Sequence, residues 1–172
     1  AITGTNGKTT TTALTGAIMK KFNSDSFTVG NIGIPYTDVA LATTEKSITV
    51  LEASSFQLET IIKFRPHVSA ILNITPDHLN RHHTMKNYAR IKEDITLNQS
   101  KDDFCILNYE DEVLRKFGTD GECPATAVFF SSAQKLENGF YLDGDMIYHA
   151  IDGKSEKSES IFSSLLLKAL SH

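Results

Sequence analysis

The sequence predicts an α/β fold, in which a doubly wound, mainly parallel β-sheet is joined to a small antiparallel β meander. Two observations support this prediction. Up to Tyr109, compact apolar runs typical of buried strands alternate with segments of helical periodicity. After Tyr109 the pattern changes to short strands separated by turns, which is typical of a meander.

The first predicted element carries a glycine-containing loop. Residues 4–10 read Gly-Thr-Asn-Gly-Lys-Thr-Thr, between an apolar stub at residues 1–3 and a helical run at residues 14–22. Two glycines permit backbone conformations with positive φ, so that successive N–H groups can converge on phosphate oxygens. The sheet is therefore predicted to be of the P-loop type, with nucleotide-binding residues Gly4, Thr5, Asn6, Gly7, Lys8, Thr9 and Thr10.

The side chains of this loop favour ATP with magnesium. Lys8 can reach the β- and γ-phosphates, and the Thr9 hydroxyl can ligate the metal ion. Ile2 stands where the general pattern has its first glycine, so the loop is a short variant, and a glycine turn can also be a simple helix entrance. Because a complete strand normally precedes such a loop, we expect the chain to be part of a longer polypeptide.

The later elements of the parallel sheet follow from periodicity. Short runs rich in apolar and β-branched residues predict strands at residues 26–29, 47–51, 68–74 and 104–108. Helical spacing of apolar residues predicts helices at 56–64 and 85–97, and weakly at 36–43, while the glycines and proline of residues 30–35 predict a turn. Ligands of such sheets bind at the carboxyl ends of the strands.

The last part of the sequence predicts the meander and a boundary. Strands are expected at residues 126–130, 139–142 and 146–150, with a turn at Asp143-Gly144-Asp145. Residues 152–160 are charged and rich in serine, which predicts a loop or linker. We therefore expect one domain at residues 1–151, followed by a linker and unassigned tail at 152–172.

Composition limits the kind of protein. The chain has 172 residues, enough for a core without disulfides, and its 17 basic and 21 acidic residues give a formal net charge of −4. This charge argues against a nucleic-acid partner. Cys105 and Cys123 form no C-x-x-C motif, so we expect reduced thiols. Without a long apolar run or a signal-peptide pattern, we expect a cytoplasmic protein with no membrane insertion.

Three polar groups lie just after predicted strands or on a following helix. Glu52 ends one strand, His78 follows the Thr-Pro turn of another, and Lys92 lies in the helical segment 85–97. Each has an ordinary structural alternative: a helix cap or ion pair for Glu52, a turn residue for His78, and a solvent-exposed side chain for Lys92.

Two further pairings arise from the spacing of residues 77–83. His78 and His82 at i and i+4 would suit zinc, although no acidic or thiol partner follows at a fitting distance. Asp77 and Arg81 could form an i, i+4 ion pair that braces the loop.

These segments together resemble the ATP-dependent Mur ligases of peptidoglycan synthesis. The resemblance covers about residues 1–150 and corresponds to the central ATP-binding domain of that family. The motif at residues 4–10 is shared with folylpolyglutamate synthetases. Gly-Asn-Ile-Gly at residues 30–33 and Ser-Ser-Phe-Gln-Leu-Glu at 54–59 are most similar to the branch that adds D-glutamate.

The resemblance implies a role for each site residue. Lys8 would contact phosphates, Thr9 and Glu52 would hold one magnesium ion, and His78 would bind a second. In this family the lysine that matches Lys92 is carbamylated by CO2, which would let it help to hold the second metal. The implied catalytic residues are Lys8, His78 and Lys92, and the implied substrate-facing residues are Asn31, Ser54 and Gln57.

The implied reaction is the ATP-dependent addition of D-glutamate to UDP-MurNAc-L-alanine through an acyl phosphate. The family's N- and C-terminal domains and its His-Asn-x-x-Asn element do not appear in this sequence, and residues 155–172 align with nothing in it. We therefore expect the isolated chain to be inactive without those domains. Two alternatives stay open: a different ligase of this scaffold, such as one that extends folate, and a nucleotide-binding fragment without catalysis.

Overall fold

The computed structural model describes residues 1–157. Nine strands form one sheet: β1 (Ile2–Thr3), β2 (Ser26–Gly30), β3 (Ile48–Glu52), β4 (Val68–Ile71), β5 (Phe104–Asn108), β6 (Thr126–Ser131), β7 (Gly139–Asp143), β8 (Met146–Ile151) and β9 (Lys154–Lys157). Six α-helices accompany them: α1 (Lys8–Phe22), α2 (Tyr36–Val39), α3 (Ser55–Leu58), α4 (Leu79–His82), α5 (Met85–Glu93) and α6 (Glu112–Thr119). Short 3-10 turns follow α2 and α5.

The sheet is parallel over most of its width. The strand order is β2-β3-β1-β4-β5-β6-β7-β8-β9, with parallel pairing from β2 to β7 and antiparallel pairing from β7 to β9. From β1 the chain forms the outer strand β2, returns to place β3 between β2 and β1, and then crosses to β4 on the other side of β1. The reversal lies beside β1, and ligands of open α/β sheets bind at such a reversal. The predicted fold class is confirmed.

The central strand β1 is short but fully paired. Ile2 lies opposite Glu52 on one side and Ala70 on the other. The backbone continues this pairing past the strand, because the Leu72 amide donates to the Thr3 carbonyl at 3.0 Å. The carboxyl ends of β3, β1 and β4 are thereby brought side by side.

The main core lies around β4, β5 and the helices packed on them. Ile71, Leu107 and Leu114 are completely buried there. Cys105 and Cys123 belong to the same core and are free thiols, as expected. A second, smaller core around Leu136 supports the meander.

Helix α6 was not predicted from the sequence, and it corrects the interpretation of β6. A helix between β5 and β6 allows the chain to return in the same direction, so these strands pair in parallel. The expectation that residues 126–130 belong to the antiparallel meander is therefore wrong. The helix has a recognisable start signal, because the Asp111 carboxylate accepts from the amides of Val113 and Leu114.

Other predicted boundaries also change. The predicted helix at 56–64 is wrong beyond Leu58, because β-branched residues follow and Ile62 is 80% exposed rather than on a core face. The predicted strand at 68–74 ends at Ile71. The predicted helix at 85–97 ends at Glu93 and continues as a 3-10 turn.

The meander extends further than predicted. Residues 154–157, expected in a loop or linker, form β9 and pair with β8. The remainder of that segment and the predicted tail lie outside the described residues. The domain boundary at residue 151 stays a prediction.

Gly30 provides a test of the packing between β2 and β3. Its φ is +113°, and an added Cβ would lie 2.2 Å from the Glu52 carbonyl oxygen. We expect Gly30→Ala to lower the free energy of unfolding by about 3 kcal/mol, since backbone strain and overpacking both contribute. Urea unfolding measures the change.

Gly33→Ala is the matched control for this variant. Gly33 also has positive φ, at +66°, but no atom lies within 4 Å of an added Cβ. A loss of about 1 kcal/mol is expected from backbone strain alone. Equal losses for the two variants would contradict the close approach at Gly30.

Candidate functional site

Residues 4–10, predicted to bind phosphate and called the phosphate loop below, lead from β1 into the first turn of α1. β1 lies inside the sheet, between β3 and β4. Gly4 has φ of +149° and Gly7 has φ of +81°, so both glycines adopt the conformations for which the sequence selects them. Gly7 is the N-cap residue of the 15-residue helix α1, and no side chain caps its amides. The loop therefore presents backbone N–H groups and a helix N-terminus, which together favour an anion.

The loop is fixed by the end of β4. The Asn6 amide donates to the Asn73 side-chain oxygen at 2.8 Å, and the Asn73 side-chain amide donates to the Asn6 carbonyl at 3.1 Å. The Thr5 hydroxyl accepts from the Thr75 amide at 3.0 Å. Thr5, predicted to bind nucleotide, thus holds the loop to the following segment.

Glu52 lies at the end of β3 and is 1% exposed. Its two carboxylate oxygens accept separate hydrogen bonds, one from the Thr9 hydroxyl at 3.0 Å and one from the Asn31 side-chain amide at 3.0 Å. A buried carboxylate needs such partners, because an unpaired charge is costly to bury. The two predicted ligands of the first magnesium are therefore in direct contact.

Two lysines point their ammonium groups at loop carbonyls. Lys92 Nζ donates to the Gly4 carbonyl and Lys8 Nζ to the Thr5 carbonyl, both at 2.8 Å. Lys92 is 1% exposed, and burial, with a smaller contribution from nearby Lys8, lowers its pKa to about 8. The alternative of a solvent-exposed helix lysine is excluded for Lys92.

His78 lies after β4, at the N-cap position of the short helix α4. It adopts a left-handed backbone conformation with φ of +51°, its side chain is about half exposed, and its Nε2 lies 3.5 Å from an Asp77 carboxylate oxygen. The ring of Phe56 packs against it, with 5.0 Å between centroids. The predicted pairing of Asp77 with Arg81 is wrong, because Arg81 Nη2 donates to Glu59 at 2.8 Å instead.

Ser54 and Gln57 bond to each other. They form a capping box at the start of α3: the Ser54 hydroxyl accepts from the Gln57 amide, and the Gln57 side-chain oxygen accepts from the Ser54 amide. Asn31 donates to Glu52, as described. The residues with an implied substrate role thus also have structural partners within the chain.

A cleft of about 140 Å³ opens between these segments. Five of the predicted site residues line it: Lys8, Asn31, Ser54, His78 and Lys92. Its wall also contains four residues without a predicted role: Ser55, Phe56, Asp77 and Tyr88. Thr9, Glu52 and Gln57 do not line the cleft, although Glu52 contacts Asn31 of its wall and Gln57 contacts Ser54. Thr10 is exposed on the first turn of α1.

The residues fit one magnesium ion better than two. Thr9 and Glu52 supply oxygen donors, which Mg²⁺ prefers, whereas His78 and an unmodified Lys92 do not form a suitable set. Within residues 1–157 no three His, Cys, Asp or Glu side chains gather as a metal cluster. His82, considered for zinc, is buried against Ser55 rather than directed with His78.

Sequence reasoning missed Asn73, Tyr88 and Ser55 as members of the site. Asn73 had a usable signal, since it is a polar residue next to the carboxyl end of the strand predicted at residues 68–74. Tyr88 had none beyond helical spacing, yet its hydroxyl lies 3.3 Å from Thr5 Oγ1 and its ring lies under Lys92 Nζ at 4.8 Å.

No helix within residues 1–157 has the length and apolar character needed to cross a membrane.

Curated relatives are identical to this chain at slightly more than half of the aligned positions. The UDP-N-acetylmuramoylalanine–D-glutamate ligase of Lachnoclostridium phytofermentans is 58% identical over 154 residues, which are 90% of this chain and 34% of that protein. The enzyme of the same name from Clostridioides difficile is 51% identical over 153 residues, covering 89% of this chain and 34% of the relative. The chain thus spans about one third of the length of these relatives.

Solved structures share the fold at lower identity. MurF from Acinetobacter baumannii has a TM-score of 0.64 at 17% identity, covering 91% of this chain and 36% of that one. MurF from Thermotoga maritima in complex with ADP has a TM-score of 0.59 at 20% identity. The alignment covers 91% of this chain and 39% of the MurF chain.

The family model described as the Mur ligase middle domain matches residues 2–166. This match spans nearly the whole sequence, and it includes residues 4–10, Glu52, His78 and Lys92. It also extends over residues 155–166, so the expectation that this segment aligns with nothing in the family is wrong. The chain therefore belongs to the Mur ligase middle-domain family.

Proposed function

We propose that this chain is the ATP- and magnesium-binding part of a ligase that joins D-glutamate to UDP-MurNAc-L-alanine. The observation that carries the proposal is the contact between Thr9 and Glu52 beside the phosphate loop, in a chain whose relatives at 51–58% identity are named as D-glutamate ligases. The ADP in the Thermotoga maritima structure supports a nucleotide at this fold.

The chemistry requires activation of a carboxylate. A free carboxylate resists attack by an amine, so the γ-phosphoryl group of ATP is first transferred to it, giving an acyl phosphate. The D-glutamate amine then attacks the acyl carbon, and the tetrahedral intermediate collapses to an amide and phosphate. Because negative charge gathers around the transferred group, positioning and electrostatic stabilisation account for most of the catalysis.

The chain's own residues supply these effects. Lys8 and the N–H groups of residues 4–10 offset the phosphate charge, and Thr9 with Glu52 would hold a magnesium ion that adds positive charge there. Asn31, Ser54 and Gln57 would face the nucleotide-sugar substrate across the cleft. The family's C-terminal domain would supply part of the amino-acid and ATP sites, and we propose the N- and C-terminal domains as partners of this domain in the cytoplasm.

Lys92 is proposed to react with CO2 and form a carbamate. Only a neutral amine attacks CO2, and an amine with a pKa of about 8 is about half neutral at pH 8. An ordinary lysine is about 0.3% neutral at that pH. A carbamate oxygen would complete, with His78, a second magnesium site that an ammonium group cannot form. His78 and carbamylated Lys92 are thus the proposed second metal pair.

The ligase activity is tested on the full-length protein in which this chain occurs. With ATP, UDP-MurNAc-L-alanine and D-glutamate we expect release of phosphate and formation of the amide. Mass spectrometry detects the amide product. Glu52→Gln should lower kcat at least about 100-fold, since it weakens the magnesium site.

Glu45→Gln, at an exposed position, is the matched control and should leave kcat unchanged. Turnover with a folate and L-glutamate, in place of the expected substrates, would contradict the proposal in favour of a folate-extending ligase. Binding of Mg-ATP without any turnover would favour a non-catalytic binder.

Carbamylation is tested by 13C NMR. After addition of 13C-bicarbonate at pH 8, a carbamate carbonyl resonance is expected in the wild-type protein and should be absent from Lys92→Arg. Lys86→Arg, an exposed lysine of the same helix, controls for surface reaction and should keep the resonance. A resonance that persists in Lys92→Arg would assign the carbamate elsewhere.

The lowered pKa of Lys92 also predicts a pH dependence of stability in CO2-free buffer. Between pH 8 and 10.5 the unfolded chain holds the proton on Lys92 while the folded chain releases it, so the free energy of unfolding should rise with pH. The rise attributable to Lys92 is on the order of 2–3 kcal/mol. It is measured as the difference between wild type and Lys92→Met in urea unfolding. Parallel curves for the two proteins would show that Lys92 keeps an ordinary pKa.

A further inference from the structure

His82 lies directly behind the cleft and does not line it. Its side chain is fully buried, although histidine is a titratable group. Three residues of the cleft wall contact it: Ser55, whose Oγ lies 3.0 Å from His82 Nε2, and the rings of Phe56 and Tyr88, with centroids 5.7 and 5.2 Å from the imidazole. A buried histidine with this set of neighbours connects several parts of the wall.

The polar contacts of His82 define one tautomer. Glu59 Oε1 lies 3.0 Å from Nδ1, at ion-pair distance but off the axis of an ideal N–H bond. A carboxylate next to a ring nitrogen favours a proton on that nitrogen, because two lone pairs would repel each other. Nε2 is then the acceptor, and the Ser55 hydroxyl donates to it. Arg81 holds the other side of Glu59 through Nη2 at 2.8 Å.

Burial favours the neutral form of the imidazole. It lowers the pKa of His82, while the Glu59 carboxylate opposes this shift, and the positive groups of His78, Arg81 and Lys92 reinforce it. A neutral ring can accept from Ser55, whereas a doubly protonated ring could not. The series Ser55–His82–Glu59–Arg81 therefore forms a continuous polar connection under the cleft.

The three wall residues that His82 contacts lie on two helices, Ser55 and Phe56 on α3 and Tyr88 on α5, and they contact different parts of the proposed site. Ser55 begins α3, next to the capping box of Ser54 and Gln57. Phe56 packs on His78. Tyr88 contacts Thr5 of the phosphate loop and lies under Lys92. His82 itself ends the short helix α4 that starts just after His78.

We propose that His82 is a positioning residue that sets the distance between the substrate side of the cleft, at α3, and its metal side, at His78 and Lys92. It does so through the hydrogen bond from Ser55 and the packing on Phe56 and Tyr88. His82 is not a catalytic residue, since it lies outside the cleft. The role rests on the proposed function, because it concerns the alignment of two reactants in that reaction.

The arrangement itself is tested without any activity. Long-range 1H–15N NMR of the imidazole groups at pH 7.5 is expected to show His82 as the neutral tautomer with its proton on Nδ1. Ser55→Ala should shift the Nε2 resonance toward that of a nitrogen without a donor. A proton on Nε2, a charged ring, or no response to Ser55→Ala would overturn the proposal.

The effect on the reaction is tested in the full-length protein. Ser55→Ala and His82→Phe should each lower kcat by about 10–100-fold, the usual effect of losing a supporting contact behind a site. The KM for ATP should change by less than about twofold, because Thr9, Glu52 and Lys8 have contacts of their own. Phenylalanine at position 82 keeps the ring packing on Phe56 and Tyr88. If His82→Phe does not fold, the smaller change Ser55→Ala still tests the hydrogen bond to His82.

A double-mutant cycle separates positioning from independent effects. If the Ser55 bond acts through His82, the Ser55→Ala/His82→Phe double variant should lose no more kcat than His82→Phe alone. Losses that multiply would overturn the proposal, as would losses in KM for ATP alone.

His83→Asn is the control. His83 is the exposed neighbour with φ of +64°, and asparagine, like histidine, is among the residues enriched at positive φ, so kcat should be unchanged. Absence of ligation in the wild-type protein would refute the proposed function and the kinetic role, whereas the NMR spectrum judges the His82 arrangement separately.

Discussion

One buried carboxylate organises the edge of this sheet. Glu52 ends β3 next to the central strand, and each of its oxygens accepts a hydrogen bond from a different segment, Thr9 of α1 and Asn31 after β2. A carboxylate at 1% exposure is stable only with such partners, so its requirement fixes where α1 and the turn at residues 30–35 can lie. The same oxygens keep free lone pairs, which would let this carboxylate also hold the proposed magnesium ion.

The phosphate loop depends on a second set of contacts, formed by the end of β4. Asn73 and Thr75 bond to Asn6 and Thr5, so the loop is held by the neighbouring strand rather than by its own sequence alone. This explains how a short variant, with Ile2 where a glycine is usual, still reaches the conformation of a phosphate cradle. Gly4 and Gly7 allow the backbone to adopt positive φ, and the hydrogen bonds between Asn73 and Asn6 select one conformation of the loop.

The sequence predicted what depends on local pattern and missed what depends on distant contacts. β5 was predicted with its exact bounds because a run of apolar residues over five positions has few alternatives in a buried sheet. Helix α3 was predicted too long, since periodicity continued where burial did not. The predicted site residues Glu52 and Lys92 were selected through family motifs, and the structure buries both. Ser55, Tyr88 and Asn73 act through partners 27 to 83 positions away, which no local pattern records.

The distribution of charge in the cleft explains why both a metal and a triphosphate suit it. Lys8 and Lys92 approach from one side, and their mutual repulsion adds to the effect of burial on the Lys92 pKa. Glu52 does not line the cleft, but it contacts Asn31, which does. Two cations close together in a site of low dielectric are costly, and an anion between them relieves that cost. A phosphate group bound at Lys8 would relieve this repulsion. Conversion of Lys92 to an anionic carbamate would also relieve it, because it would remove one of the two positive charges. The same electrostatic strain thus favours nucleotide binding and the modification of Lys92.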